Sequence, residues 1–159
     1  MTIRVIGVGK LKEAYFTDAC AEFQKRLSRF CTLETVEVAD EKAPESLHPK
    51  DEALVRDKEG KRILKAVGEK DFVVALAIDG KQMTSEQFAA FLEEKEAQGT
   101  RALTFVIGGS LGLSDEVYAR ANAKLSFSKM TFPHRIARLL LLEQLYRGFK
   151  IRRNEAYHK

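Results

Sequence analysis

Apolar and polar positions alternate along this chain with two different periods. Thr2–Val8 (TIRVIGV) is β-branched and apolar, the mark of a strand. Tyr15, Ala19, Phe23, Leu27 and Phe30 then recur at helical spacing, with Asp18, Glu22, Lys25 and Arg29 off that stripe. This predicts an amphipathic helix packed on a sheet. Thr32–Val38 reads as a second strand, and Ala39–Lys50, with Pro44 and Pro49, reads as a loop. Asp51–Val67 is helical and very charged. Its Glu52/Arg56 and Asp57/Lys61 pairs stand in the favourable i,i+4 order of a solvated face.

Phe72–Ile78 (FVVALAI) is a continuous apolar run, as in a strand covered on both faces. Thr84 and Gln87 form a capping box for a helix that buries Phe88, Phe91 and Leu92 and ends at Gly99. Ala102–Ile107 (ALTFVI) is the next buried strand. The Gly-rich loop Gly108–Leu113 follows, and Ser114 with Asp115 and Glu116 opens a short helix. A short strand around Leu125–Phe127 precedes the long helix His134–Arg153 and the tail Asn154–Lys159. Strands alternate with helices throughout, with no repeat or linker. The pattern therefore predicts one α/β domain over residues 1–159 with a mostly parallel sheet. The last helix has almost no polar face, since Ile136, Ala137, Leu139, Leu140, Leu141, Leu142, Leu145, Tyr146 and Phe149 surround it. A helix apolar all round is buried all round. Few elements remain to cover it, so a homodimer built on this helix is expected.

Composition narrows the class. With 159 residues, 45% apolar and 31% charged, the chain is a globular domain rather than a disordered or fibrous one. No apolar run approaches the roughly 18 residues of a membrane span. Gly7, Gly9 and Lys10 interrupt the first apolar run, unlike a secretory leader. Cys20 and Cys31 form no CxxC and no disulfide framework, so reduced thiols and a cytoplasmic setting are expected. The net charge of +4 is unevenly spread. Lys124–Lys159 holds nine Lys/Arg against Glu143 and Glu155, a balance of +7, which leaves −3 for the rest. A basic final segment points to a polyanionic partner.

In open α/β sheets, ligands bind beyond the carboxyl ends of the strands. Three such ends are informative: Leu76–Gly80, Gly108–Gly112 and Phe127–Pro133 (FSKMTFP). Their glycines admit close backbone approach, and Leu76, Phe127, Met130 and Phe132 offer apolar walls. That mixture suits a purine or nucleoside and is poor for a triphosphate. Gly7-Val8-Gly9-Lys10 lacks the Walker spacing, and no GxGxxG follows the first strand. Gly108-Gly109-Ser110-Leu111-Gly112 matches the G-x-S-x-G elbow of serine hydrolases, with Asp115 and His134 or His158 as partners. Against it stand the small domain and a following helix delayed to Ser114. His48, His134 and His158 have no metal-ligand spacing, so no metal is expected. The tail Tyr157-His158-Lys159, with Arg147, Arg152 and Arg153 nearby in sequence, joins an aromatic that can stack on a base to cations that hold phosphates.

The opening RVIGVGKLKEAY, the loop FVIGGSLG, the run LSFSKMTFPH and the ending LLLLEQLYRGFKIRRNEAYHK together resemble the RlmH family. These bacterial enzymes methylate N3 of a pseudouridine in 23S ribosomal RNA. The resemblance spans essentially the whole chain. It implies the SPOUT fold with a C-terminal trefoil knot, an obligate homodimer and S-adenosylmethionine as methyl donor. It places the donor against Leu76, Gly108, Phe127, Ser128, Lys129, Met130, Thr131 and Phe132. It places the reactive groups at Arg147, Tyr157 and His158. Arg152, Arg153 and Lys159 then hold RNA phosphates. A net charge of +4 is modest for gripping naked RNA, so 23S rRNA presented within a ribosomal particle is the expected substrate. Two alternatives stand beside this reading: an RNA-binding dimer without methyl transfer, and the serine hydrolase.

Overall fold

The computed structural model of the protein describes residues 1–43 and 48–159. The elements run β1 (Thr2–Val8), α1 (Ala14–Leu27), β2 (Thr32–Val38), α2 (Pro49–Ala66) and β3 (Phe72–Gln82). They continue as α3 (Ser85–Ala97), β4 (Ala102–Ile107), α4 (Asp115–Arg120), β5 (Ala123–Ser126) and α5 (His134–Arg152). The five strands pair in parallel in the order β2-β1-β4-β3-β5. A parallel sheet needs helical crossovers, and these cover both faces.

The alternation of side chains along each strand divides the core in two. Ile3 and Val5 of β1, Leu103, Phe105 and Ile107 of β4 and Val74 of β3 pack with Leu27 of α1, Phe88 and Leu92 of α3, and Leu141, Leu142, Leu145 and Phe149 of α5. On the opposite face Ile6, Val8, Val73, Ala75 and Val106 pack with Ile63 of α2 and Val117 of α4. Every residue of β4 is buried, including Thr104, whose hydroxyl donates to Asp71 Oδ2. The thiols of Cys20 and Cys31 are free. Burial pushes the Cys31 thiol up to about 11, which makes it a poor nucleophile at neutral pH.

Several boundaries differ from those expected. Helix α2 begins at Pro49 rather than Asp51, because proline suits a first helical turn. The rest of the predicted 39–50 loop includes residues 44–47, which lie outside the described residues. Tyr15 is 69% exposed and the buried positions of α1 are Cys20 and Leu27, while Phe30 packs from beyond the helix end. Glu52 and Arg56 pair at 3.9 Å. Among the described residues Lys58, not Lys61, makes an ion pair here, with Glu41 at 3.6 Å. Strand β3 continues past Ile78 to Gln82, and β5 ends at Ser126.

Helix α5 is not apolar all round, because Arg138 is buried within it. Its guanidinium donates to Gly9 O at 3.3 Å and to Glu37 Oε2 at 3.2 Å. A Cβ on Gly7 would lie 2.4 Å from Arg138 Nη2, so the absence of a side chain on β1 makes room for this cation. Within one chain α5 lies against α1 and α3. Ile136, Ala137, Leu139 and Leu140 stay half-buried along it.

The capping box of α3 forms as read from the sequence. Thr84 Oγ1 accepts from Gln87 N at 3.1 Å, and Gln87 Oε1 accepts from Thr84 N at 2.9 Å. Thr84→Ala is expected to cost about 1 kcal/mol, a fall of about 2–4 °C in Tm for a chain of this size. Thermal unfolding followed by circular dichroism reads it directly.

Candidate active site

A cleft of about 870 Å³ opens beyond the carboxyl ends of β3, β4 and β5. A break in register builds one wall. Leu76 and Lys81 of β3 both pair with Leu125, so Ala77–Gly80 stand out of the ladder. Leu76, Ala77, Ile78 and Asp79 line the cleft there. Gly80 is needed for this shape, because a Cβ would sit 2.7–2.9 Å from the backbone of Lys124 and Leu125.

The Gly108–Leu113 loop builds the second wall. Gly112 N donates to Gly109 O at 3.1 Å, and Gly112 adopts φ +85, which closes the loop on itself. A Cβ on Gly108 would lie 2.7 Å from Gly112 C, a contact between backbone segments that no rotamer relieves. Behind the loop lies the buried Glu59 of α2, whose Oε2 accepts from Glu41 N at 3.0 Å. Burial pushes the Glu59 carboxyl up. A Cβ on Gly109 would come within 3.1 Å of Glu59 Oε1, so this acid fits closely under the loop.

The turn after β5 builds the third wall. Ser126 Oγ donates to Ser128 O at 2.9 Å, and Ser128 Oγ accepts from Met130 N at 3.0 Å. These local bonds shape the backbone as hydroxyl turns do. Phe127, Ser128, Met130, Thr131 and Phe132 line the cleft, with His134 and Ala137 at the start of α5. Met130 is 72% exposed and Phe132 38% exposed, which leaves large apolar surface unpartnered there.

Of the eight residues placed against a donor from the sequence, seven line this cleft: Leu76, Gly108, Phe127, Ser128, Met130, Thr131 and Phe132. Lys129 lies in the same turn, exposed, and does not line it. No Lys or Arg lines the cleft among the described residues. Burial, then Arg135 and Arg138, lower the His134 imidazole, which favours its neutral form. A cleft lined by Asp79 and by no Lys or Arg offers a phosphate no cationic side chain and is compatible with a positively charged ligand.

The reactive residues expected from the sequence meet elsewhere. Arg147 Nη1 lies 3.2 Å from His158 Nδ1, and its guanidinium sits over the Tyr157 ring at 4.7 Å. Tyr157 also packs edge-on to Tyr146, with ring centroids 4.9 Å apart. Burial first, then the charge of Glu143, push the Tyr157 phenol up, so its hydroxyl remains a donor. None of Arg147, Tyr157 and His158 lines the cleft. A smaller hollow of about 330 Å³ shares Leu125, Ser126, Phe127 and Phe132 with it and reaches Ser85 and Gln144. Ser85 and Gln144 hydrogen-bond each other at 2.8 Å. Their chain neighbours Glu86 and Glu143 both touch the tail cluster. Sequence reading singled out neither acid for a role; the i,i+4 spacing of Glu143 and Arg147 is the signal that was available.

The basic segment is largely neutralised internally. Arg135 pairs with Glu13, Arg138 with Glu37, Arg147 with Glu143, Lys150 with Glu155, Arg152 with Glu96 and Lys124 with Asp79. Of the nine cations, Lys129, Arg153 and Lys159 make no ion pair among the described residues. Arg153 lies over the Phe30 ring at 4.6 Å. Arg152, expected to hold phosphate, is tied to α3 and stacks near Phe149.

The serine-hydrolase arrangement does not form. Ser110 sits exposed in the Gly109–Gly112 turn, and its hydroxyl takes part in no hydrogen bond among the described residues. His158 is engaged by Arg147 and Glu86 instead. No group of three His, Cys, Asp or Glu gathers as metal ligands among the described residues. No helix among them is long and apolar enough to cross a membrane.

A parallel sheet with a cation-free cleft at three adjacent strand ends defines a class. Residues 1–158 match the family described as "Predicted SPOUT methyltransferase", and the chain belongs to that family. The family's methyl donor is S-adenosylmethionine. Among its relatives is the "Ribosomal RNA large subunit methyltransferase H" of Ligilactobacillus salivarius, 54% identical over the full length of both chains. The protein of the same name from Clostridium acetobutylicum is 52% identical, again over both full lengths. The crystal structure of a tRNA (m1G37) methyltransferase from Aquifex aeolicus has the same fold, with a TM-score of 0.53. It is 14% identical, and the match covers 92% of this chain and 70% of that one.

Proposed function

We propose that this chain, acting as one unit over residues 1–159, methylates N3 of a pseudouridine in 23S rRNA of the large ribosomal subunit. The observation that carries the reading is the cation-free cleft at the ends of β3, β4 and β5. Its shape and chemistry fit S-adenosylmethionine. Apolar walls from Leu76, Phe127, Met130 and Phe132 suit the adenine, and backbone at Gly108 and in the Phe127–Phe132 turn can read its polar edge. Lys129 would contribute through its place in that turn. When bound, the donor supplies an electrophilic methyl group on a sulfonium.

The chain's own residues supply alignment and proton removal. His158 accepts the N3 proton as a general base. Tyr157 stacks on or orients the base. Arg147 meets negative charge that develops on the base as its proton leaves. Arg153 and Lys159 hold phosphate, and Arg152 joins them when Glu96 yields it.

Within one chain the tail cluster does not line the donor cleft. This favours a homodimer in which the tail of one subunit serves the cleft of the other. The half-buried Ile136, Ala137, Leu139 and Leu140, with exposed Met130 and Phe132, supply the apolar face such a dimer needs. The C-terminal trefoil knot belongs to the same reading, as does a cytoplasmic site of action beside the ribosome.

Only three cations of the basic segment lack an acidic partner among the described residues, which favours RNA already presented in a particle over naked RNA. The test is transfer of a labelled methyl group to 23S rRNA. Incorporation into ribosomal particles well above that into naked 23S rRNA is expected. Equal or greater labelling of naked rRNA would remove the particle requirement, and no labelling of either would overturn the assigned activity.

A further inference from the structure

The tail cluster is organised by Glu143. Its Oε1 accepts from Arg147 Nε at 3.0 Å, from Arg147 Nη2 at 2.5 Å and from the Tyr157 hydroxyl at 3.2 Å. Its Oε2 accepts from Gln144 Nε2 at 2.7 Å. One carboxylate therefore holds two of the three candidate reactive side chains. The two-pronged contact fixes the plane of the Arg147 guanidinium. With Nε and Nη2 occupied, Nη1 is the nitrogen that meets His158 Nδ1, at 3.2 Å.

A guanidinium only donates hydrogen bonds. His158 Nδ1 must therefore present its lone pair to Arg147. On the other side of the ring, Nε2 lies 2.8 Å from Glu86 Oε1, an acceptor, so Nε2 carries the hydrogen. The two contacts together admit one state, the neutral ring with its proton on Nε2. The groups that meet the ring are Arg147 from α5 and Glu86 from α3, while Glu143 reaches it only through Arg147 and the neighbouring Tyr157.

We infer that Glu143 is a positioning residue for methyl transfer: it fixes Arg147 and Tyr157 and, through Arg147, keeps His158 Nδ1 as the proton acceptor. The inference rests on the functional reading above. In the reaction, Arg147 Nη1 leaves Nδ1 for the charge developing on the base. The N3 proton passes to Nδ1. The electron pair left on N3 forms the bond to the methyl carbon, and the carbon–sulfur pair withdraws onto sulfur. Glu86 then faces the Nε2–H of an imidazolium, the better donor.

The test uses the full chain labelled with 15N-histidine. Long-range proton–nitrogen correlation reads the tautomer of each ring, and His158 is assigned by its loss in His158→Gln. The wild-type ring is expected to show the Nε2–H pattern, and Glu143→Ala a mixed one. In the rRNA assay, Glu143→Ala is expected to lower kcat about 10–100-fold, the scale of a misplaced reactive group, with S-adenosylhomocysteine affinity unchanged. Glu143→Gln keeps one oxygen for Arg147 and is expected to lie between. Folded Glu143→Ala and Glu143→Gln proteins that retain the wild-type ring pattern and kcat would overturn the inference, whatever their Tm. Failure of the wild-type protein to methylate rRNA overturns the functional reading instead, and is seen in the same assay before any variant is compared.

Discussion

Gly108→Ala is expected to weaken binding of S-adenosylhomocysteine by at least about 100-fold, or about 2.7 kcal/mol, in a protein that still folds. The added methyl would lie 2.7 Å from Gly112 C and 2.9 Å from Gly112 O. Both are backbone atoms of a loop tied by the Gly112–Gly109 hydrogen bond, so the loop must open. That loop forms a wall of the cleft. The buried strand β4 ahead of it and the Ser114 cap of α4 behind it do not depend on the Gly108 position, and Ser114 Oγ still accepts from Val117 N. Calorimetric titration of wild type and variant measures the effect without any assumption about the RNA. Wild-type affinity in the variant would move the donor out of this cleft.

His158→Ala is expected to reduce methyl transfer to rRNA by about 10²–10⁴-fold, the range for loss of a positioned acid or base, while leaving donor affinity intact. The separation of the two effects follows from geometry. His158 lines neither hollow and is held by Arg147 and Glu86. Single-turnover rates with ribosomal particles, beside the same titration, distinguish the outcomes. Full activity would remove His158 as the proton acceptor. Loss of donor binding together with rate would instead place the tail in the donor site.

These two residues also mark how far pattern reading reaches. Gly108 follows from the Ala102–Ile107 run and the glycines that end it. The place of β4 between β1 and β3 comes from long-range pairing, whereas a buried strand followed by a tight turn is written in adjacent residues. The same holds for Thr84 and Gln87, whose mutual hydrogen bonds span three positions. The boundaries that differed have local competitors. Proline at a first helical turn extended α2 backward, and the break in β3–β5 register carried β3 beyond Ile78.

His158 stands out in the tail for its chemistry, yet nothing near it in the chain foretells Glu86 as its partner. Glu86 lies 72 positions away on another helix. Arg138 likewise looked like one cation among nine, and its burial depends on a missing side chain at Gly7, 131 positions earlier. The charge of the final segment, +7 by count, is mostly cancelled by acids brought from β2, β3, α3 and the loop before α1.

The order of strands and helices, the two-faced core and the three loops that form the cleft are thus legible in the chain alone, because each rests on periodicity or on neighbouring residues. Which cations stay free, which carboxylate holds Arg147 and Tyr157, and which nitrogen of His158 carries the proton are settled by folding. Those properties depend on distances between side chains far apart in sequence, and ion pairs and hydrogen bonds act only within a few ångströms.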